Sequence, residues 1–393
     1  MASARDHSLD ALRAAMMLLG LVLHSAASYT VNPLREVWPF RDAQAHIGFD
    51  LLIFGIHVFR MPVFFVMAGF FGALLYRRDG AWGFVHNRAR RVLLPLVLFW
   101  ALVIPLVALG FLFAVGQAAG DTGLVGLPQG SILREPILGH LWFLYNLLFY
   151  YAAAVMVVPI ASRLSASVRA RAHTAFRSIA TSAWGTVALA GATLLSILPG
   201  SEPGIGLSAS LIPRLHVLAA YGVFFAFGWL LHAHREALDV YAARWKATAV
   251  AAAVASGLYL YVLAAQPIDD PRLWTVASMA LCALATWPLL FAITGLFVRH
   301  MRTPRPIVRY FSDAAYWMYL VHLPLTVWIP GLLARSPLPA AAKFAVVLAA
   351  TTLVTTVTYN YLVRPTVVGV LLNGRRYPRG LPGPAPRGQQ VLV

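Results

Sequence analysis

Three ionisable side chains lie in the first long apolar run of the sequence, at Asp10, Arg13 and His24. Charged groups are costly at membrane depth, so each of them is a candidate functional residue. Asp10 precedes Arg13 by one helical turn and can pair with it. Arg13 and His24 are about three turns apart, roughly 16 Å along a helix, and share one helix face. An orientation anchor at Arg13 and a hydrogen-bonded interior histidine at His24 are the simpler interpretations.

A second group of ionisable residues lies in the next apolar run. His57 and Arg60 are one helical turn apart, and Asp50 lies about two turns before His57, so all three can share a face. An arginine within a membrane span, here two residues before Pro62, is expected to bind an anion or to pair with a carboxylate. A structural Arg–Asp clamp between helices is the alternative.

Two later segments add histidines that are flanked by aromatic residues. One reads Gly-His140-Leu-Trp142-Phe, for which an interfacial Trp and Tyr belt is the alternative, and the other reads Tyr319-Leu-Val-His322. Neither carries the His-Glu-x-x-His spacing of a zinc site, so no metal is predicted. The span assignments place four histidines at similar depth near the outer side: His24, His57, His140 and His322.

Arginines crowd the segment that follows the second apolar run. Arg88, Arg90 and Arg91 come shortly before Pro95. Such a cluster can simply anchor the cytoplasmic side of a membrane protein. Forked guanidinium groups are also well shaped to bind the phosphates of a cytoplasmic donor.

Composition indicates which elements must position these residues. The chain has 393 residues and is 60% hydrophobic and 11% charged, with a mean hydropathy of +0.72. A soluble chain of this length needs more polar surface. Apolar runs long enough to span a bilayer recur, whereas the alternation of barrel strands does not. We predict an all-α, polytopic membrane protein with about ten transmembrane helices, at 9–29, 49–76, 91–116, 139–161, 184–199, 208–231, 247–266, 273–298, 310–330 and 339–363.

The distribution of basic residues predicts the orientation of the chain. Of the 31 Lys and Arg residues, 22 lie in one alternate set of connecting segments and 7 in the other. An excess of this kind marks the cytoplasmic side, so both termini are expected there. It also accounts for most of the net charge of +17 without a nucleic-acid partner. Residues 1–373 are expected to form the transmembrane domain, and 374–393 a disordered, basic cytoplasmic tail.

Several of these motifs together resemble the acyltransferase-3 family of bacterial inner-membrane O-acyltransferases. The resemblance rests on Arg13 and His24 with ten intervening residues, on Arg60 followed by the aromatic-glycine run 64–71, and on the Tyr-Leu-Val-His segment that ends at His322. The segments from Arg88 to Pro95 and 140–143 add to it. Within the family, the chain is most similar to the branch of glucan biosynthesis protein C, a succinyltransferase.

The resemblance implies an enzyme that moves an acetyl- or succinyl-type group from cytoplasmic acyl-CoA to a hydroxyl of an extracytoplasmic glycan. His24 would be the general base, with Arg13 and Asp10 as further catalytic residues. A transient acyl-histidine is a variant of this scheme. Substrate-binding roles fall to His57, Arg60, Trp142, Tyr319 and His322, and phosphate-binding roles to Arg88, Arg90 and Arg91.

The expected partners are acyl-CoA, a glycan or other hydroxyl acceptor, and the lipid bilayer. No bound cofactor is expected, because acyl-CoA would be the donor substrate. The inner membrane of a bacterium is the expected location. A transporter or flippase for an anionic or lipid-linked substrate, with Arg13 and Arg60 as binding charges, is the alternative function, although the sequence has no internal repeat.

Overall fold

A computed structural model describes residues 6–32, 34, 37–119 and 137–380. Within these residues every regular element is helical, as predicted. The α-helices are α1 (His7–Ala26), α2 (Ile47–Arg88), α3 (Leu94–Ala119), α4 (Trp142–Ser162), α5 (Ala166–Thr181), α6 (Ala183–Ile197), α7 (Leu215–Leu231), α8 (Glu236–Ala265), α9 (Pro271–His300), α10 (Pro306–Leu333), α11 (Ala340–Thr358) and α12 (Val367–Asn373).

The helices include enough long apolar elements for a multi-pass membrane protein. Among the described residues, seven helical stretches are long and apolar enough to cross a bilayer, or up to eight if the bent pair α5 and α6 forms one span. One of the seven, Ile47–Ala119, contains two of the predicted spans. The shorter helix Leu215–Leu231 covers another. Helices therefore occupy all ten predicted segments, while the number that cross the membrane and the side of each terminus remain predictions.

Local sequence explains where several helices begin and how they are interrupted. The Asp6 side chain accepts a hydrogen bond from Leu9 N–H and caps α1. Two π-helical turns, Ala89–Leu93 and Tyr359–Val363, each end two residues before a proline, at Pro95 and Pro365. Proline has no N–H and its ring clashes with the carbonyl four residues earlier, so the helix widens there.

The chain divides into two compact units. The first comprises 1–54, 95–140 and 301–393, in which α1 packs against α10 and α11. Near the start of α11, the ammonium of Lys343 lies 2.9 Å from both carboxylate oxygens of Asp42, and both side chains are fully buried. Because water cannot solvate either charge, each charge must be compensated by the other.

The second unit comprises 55–94 and 141–300, in which α8 packs along α9 and α6 contacts both α7 and α9. Glycines let α2 and α7 approach closely: a Cβ on Gly69 would overlap the Phe225 carbonyl oxygen, and one on Gly228 would overlap that of Val66. Gly69 and Gly228 thus allow close packing of the two helices.

The C-terminal segment folds back onto the first unit up to Gly380. The main-chain N–H of Tyr377 donates to the Arg364 carbonyl at 2.8 Å, and that of Gly380 donates to the Asn360 side chain at 2.8 Å. The rest of the predicted tail, 381–393, lies outside the described residues. So do four of the arginines counted for the orientation of the chain: Arg5, Arg35, Arg134 and Arg387.

Candidate functional site

The charged cluster near the start of α1 is linked to α10. Nη2 of Arg13 lies 3.3 Å from Oδ1 of Asp10 and donates to Oγ of Ser312 at 3.3 Å. The Ser312 hydroxyl in turn donates to the main-chain carbonyl of Asp10 at 3.2 Å. The predicted pairing of Asp10 with Arg13 is confirmed, and Ser312 orients the guanidinium group.

Three imidazole rings meet further along α1 in the same unit. The ring centroids of His24 and His322 are 5.1 Å apart, and those of His322 and His140 are also 5.1 Å apart. His322 is 1% exposed and His140 is 7% exposed. Because Arg13 and His24 both contact α10, the prediction that they share one face of α1 is confirmed.

The hydrogen bonds of His322 determine which ring nitrogen carries its hydrogen. Nδ1 lies 3.0 Å from the carbonyl oxygen of Met318 and 2.7 Å from that of Tyr319. A carbonyl oxygen only accepts hydrogen bonds, so Nδ1 is the donor. The neutral ring therefore has its basic lone pair on Nε2, the arrangement that a proton acceptor needs.

Tyr319 connects α10 to the segment that carries His140. Its hydroxyl donates to the His140 carbonyl at 2.8 Å, and the two rings are 5.2 Å apart. The preceding Gly139 has a φ of +51°, and a Cβ there would lie 2.9 Å from Cδ1 of Ile104. Glycine is therefore needed for the turn that brings His140 to the other histidines.

The three rings form one cluster, in which His140 and His322 are buried and His24 is half-buried. Among residues 6–32, 34, 37–119 and 137–380, no three His, Cys, Asp or Glu side chains are placed to hold a metal ion. Imidazoles can take up and release protons near neutral pH. This cluster, His24, His140 and His322, is called the histidine cluster below.

Arg60 lies in the second unit, on α2, and is 7% exposed. Its guanidinium carbon is 5.4 Å from the centroid of the Phe64 ring, and Nη1 lies 3.8 Å from Sδ of Met61. His57, one turn earlier, hydrogen-bonds with the backbone of Ile205.

Asp50, which the sequence placed on the same face as His57 and Arg60, has other hydrogen-bond partners in the first unit. Its carboxylate accepts hydrogen bonds from the Val31 N–H at 2.8 Å and from the Asn32 N–H at 3.0 Å. The Asn32 side-chain amide adds a third hydrogen bond at 3.0 Å. Through these hydrogen bonds, Asp50 connects the segment that follows α1 to the first turn of α2.

Trp142 is buried within the second unit at 6% exposure. Its ring lies 5.3 Å from Tyr221 and 6.1 Å from Phe65. Tyr221 in turn lies within electrostatic range of Arg60, and its hydroxyl donates to the Gly206 carbonyl at 3.2 Å. The burial of Trp142 among aromatic rings does not fit the interfacial-belt alternative.

Among the three arginines proposed for phosphate binding, Arg88 lies beside two aromatic rings of its unit. Its guanidinium carbon is 5.2 Å from the Tyr151 ring and 5.7 Å from the Phe84 ring. Arg91 is half-buried and Arg90 exposed. Both lie in the π-helical turn Ala89–Leu93, an irregularity that often occurs at functional sites.

Comparison with known proteins identifies the family of the chain. Residues 6–360 match the acyltransferase-3 family model, described as "Acyltransferase domain". The chain belongs to the acyltransferase-3 family. This acyltransferase transfers groups other than amino-acyl groups.

Relatives of this acyltransferase include proteins named "Glucans biosynthesis protein C" from Salmonella schwarzengrund, Salmonella agona and Salmonella typhi. Each is 24% identical over 329 residues, which cover 82% of this chain and 83% of the relative. No solved structure matches the chain. The resemblance to this family and to the glucan branch is therefore confirmed.

Three residues that contact the predicted site residues of the acyltransferase were missed in the sequence. Ser312 and Tyr221 bear common polar groups, and nothing in their spacing marks them. Trp38 lies in a connection between spans, where tryptophan usually indicates a membrane interface. Its ring instead stacks on His24, with centroids 5.8 Å apart.

Proposed function

We propose that the protein transfers an acetyl- or succinyl-type acyl group from cytoplasmic acyl-CoA to a hydroxyl of an extracytoplasmic glycan, in the inner membrane of a bacterium. The single observation that supports this most strongly is the histidine cluster, found in a chain that belongs to an acyltransferase family. The name of the Salmonella relatives supports a glucan as the acceptor.

In the proposed reaction, His24 takes the proton of the acceptor hydroxyl as that oxygen attacks the thioester carbonyl. A carbon–oxygen bond forms, the carbon–sulfur bond breaks, and coenzyme A leaves as a thiolate that receives the proton taken up by His24. The products are the glycan ester and free coenzyme A. The contact of His24 with His322, whose Nε2 carries the lone pair when the ring is neutral, gives the proton a second acceptor.

The remaining residues have supporting roles in the proposal. Arg13, held by Asp10 and Ser312, would orient the donor. Arg60 and His57 would stabilise negative charge, either on the reacting carbonyl oxygen or on the carboxylate of a succinyl group.

Further residues of the protein would bind the acceptor and the far end of the donor. Tyr319 and His322 would line the acceptor side, and Trp142 would contribute to substrate binding. Arg88, Arg90 and Arg91 would bind the phosphates of acyl-CoA. Acyl-CoA is the proposed donor substrate, and the proposal includes no bound cofactor.

Acyl transfer by the purified protein tests the proposal. Protein in lipid nanodiscs is incubated with radiolabelled succinyl-CoA or acetyl-CoA and with glucan oligosaccharides, and label on the glucan is measured. We expect transfer by the wild type and a loss of about 10²- to 10⁴-fold in His24→Ala, the usual effect of removing a general base. The matched control is His86→Ala, because His86 is exposed at the end of α2. Unchanged transfer by His24→Ala would contradict the catalytic assignment, and movement of an intact substrate across the bilayer would favour the transporter.

A further inference from the structure

Trp38 covers one side of the His24 ring within the first unit. Their rings are 5.8 Å apart and nearly parallel, with an interplanar angle of 22°. His322 contacts His24 as well, at 5.1 Å and 46°. His24 is therefore in contact with two aromatic groups, one from the connection after α1 and one from α10.

The indole of Trp38 is held in place by a hydrogen bond and by a contact with another aromatic ring. Its Nε1–H donates to Oγ of Ser28 at 2.9 Å, and its ring packs edge-on against Phe111 at 5.1 Å. Ser28 is fully buried and follows His24 by four residues, in the 3-10 turn Ala27–Tyr29 that continues α1. One turn of helix thus separates the hydrogen bond to Ser28 from the stacked His24 ring.

The connection that carries Trp38 is anchored a few residues later. The Asp42 N–H donates to the Ser28 carbonyl at 2.8 Å, and the His46 N–H donates to the Tyr29 carbonyl at 3.0 Å. The buried ion pair of Asp42 with Lys343 then fixes the same segment to α11. The position of Trp38 is consequently determined by its own hydrogen bond to Ser28 and by the contacts of Asp42 and His46 a few residues later.

We propose that Trp38 is a positioning residue for His24: it fixes the imidazole plane and keeps water from that side of the ring. Trp38 is itself only 7% exposed, so little solvent reaches the shared surface. Water that reached the base would attack the same thioester carbonyl and release a free carboxylic acid and the thiol of coenzyme A. This inference rests on the proposed role of His24 as the general base.

Steady-state kinetics of four variants test the proposal. Trp38→Ala removes the whole ring. Trp38→Phe removes the hydrogen bond and part of the stacked ring, and Ser28→Ala removes only the hydrogen bond. The matched control is Trp328→Phe, because Trp328 also stacks on a ring, that of Phe113, and also donates a 2.9 Å hydrogen bond, in its case to the Leu106 carbonyl.

We expect Trp38→Ala to lower kcat for transfer by about 10- to 100-fold, the scale of a misplaced catalytic group, with little change in either KM. The ratio of hydrolysis to transfer should rise. Trp38→Phe and Ser28→Ala should both show smaller losses than Trp38→Ala, and Trp328→Phe none. An increase in KM at constant kcat, or an equal loss in Trp328→Phe, would overturn the proposal.

A spectroscopic measurement separates failure of this inference from failure of the proposed function. A protonated imidazole quenches the fluorescence of a stacked indole, so the difference in emission between wild type and Trp38→Phe should depend on pH. That dependence should disappear in His24→Ala. A pH-dependent difference together with full transfer by His24→Ala would leave the stacking intact but contradict the catalytic role. A difference in emission that His24→Ala leaves unchanged at every pH would overturn the positioning of His24 by Trp38.

Discussion

The rings of His24 and His322 lie 5.1 Å apart, and Nδ1 of His322 is held by two main-chain carbonyls of its own helix. Those two hydrogen bonds fix both the ring orientation and the nitrogen that is basic. His24, the proposed general base, therefore lies beside a histidine whose ring orientation and basic nitrogen are fixed by the backbone of α10.

Replacement of His322 should consequently impair catalysis without unfolding the protein. We expect His322→Ala to lower kcat for acyl transfer by about 100-fold or more, since the second proton acceptor is lost. Initial rates at saturating donor and acceptor measure the effect, and circular dichroism verifies the fold. His300→Ala, at an exposed position at the end of α9, should retain the wild-type rate. A wild-type rate in His322→Ala would show that the cluster does not act as a unit.

The buried pair of Asp42 and Lys343 allows a test of how the connection after α1 is held. Loss of one partner leaves a charge without compensation in a fully buried position, so Lys343→Met should lower the free energy of unfolding by about 3–5 kcal/mol. The double variant Asp42→Leu with Lys343→Met should recover a substantial part of that loss. Chemical unfolding in detergent micelles measures each value as a double-mutant cycle. Additive losses would contradict a coupled pair.

The features that could be predicted from the sequence are those that depend on residues close together in the chain. Apolar runs predicted the helices, and the short spacing from Asp10 to Arg13 predicted their ion pair. Contacts between distant segments were not visible: Lys343 is 301 residues from Asp42, and Ser312 is 299 residues from Arg13. Lys343 carries no local signal because a lysine near the start of a span normally faces the interface. Its ammonium group is buried because the tertiary fold places it against Asp42.

The crossing of α2 and α7 depends on glycine at position 69. A Cβ there would overlap the Phe225 carbonyl oxygen, so the two helices must separate. We expect Gly69→Ala to lower the free energy of unfolding by about 1–3 kcal/mol or more, the usual cost of overpacking. Gly55→Ala, on the same helix, is the matched control, because a Cβ at Gly55 meets nothing within 4 Å. It should be neutral or stabilise by up to about 1 kcal/mol through helix propensity. Thermal unfolding in detergent compares the two, and equal effects would contradict the close crossing.

His232, directly after α7, predicts a dependence of stability on pH. Burial, followed by the positive charges of Arg235 and Arg77, lowers its pKa from 6.5 to about 4. Between these two values the unfolded chain binds more protons than the folded protein, so stability should fall as the pH is lowered from about 6.5 to about 4. His232→Gln cannot take up the proton and should reduce this slope, while His86→Gln, at an exposed position, should retain it. Unfolding temperatures measured from pH 7.5 to 4.5 test this, and the same slope in wild type and His232→Gln would assign the acid sensitivity to other groups.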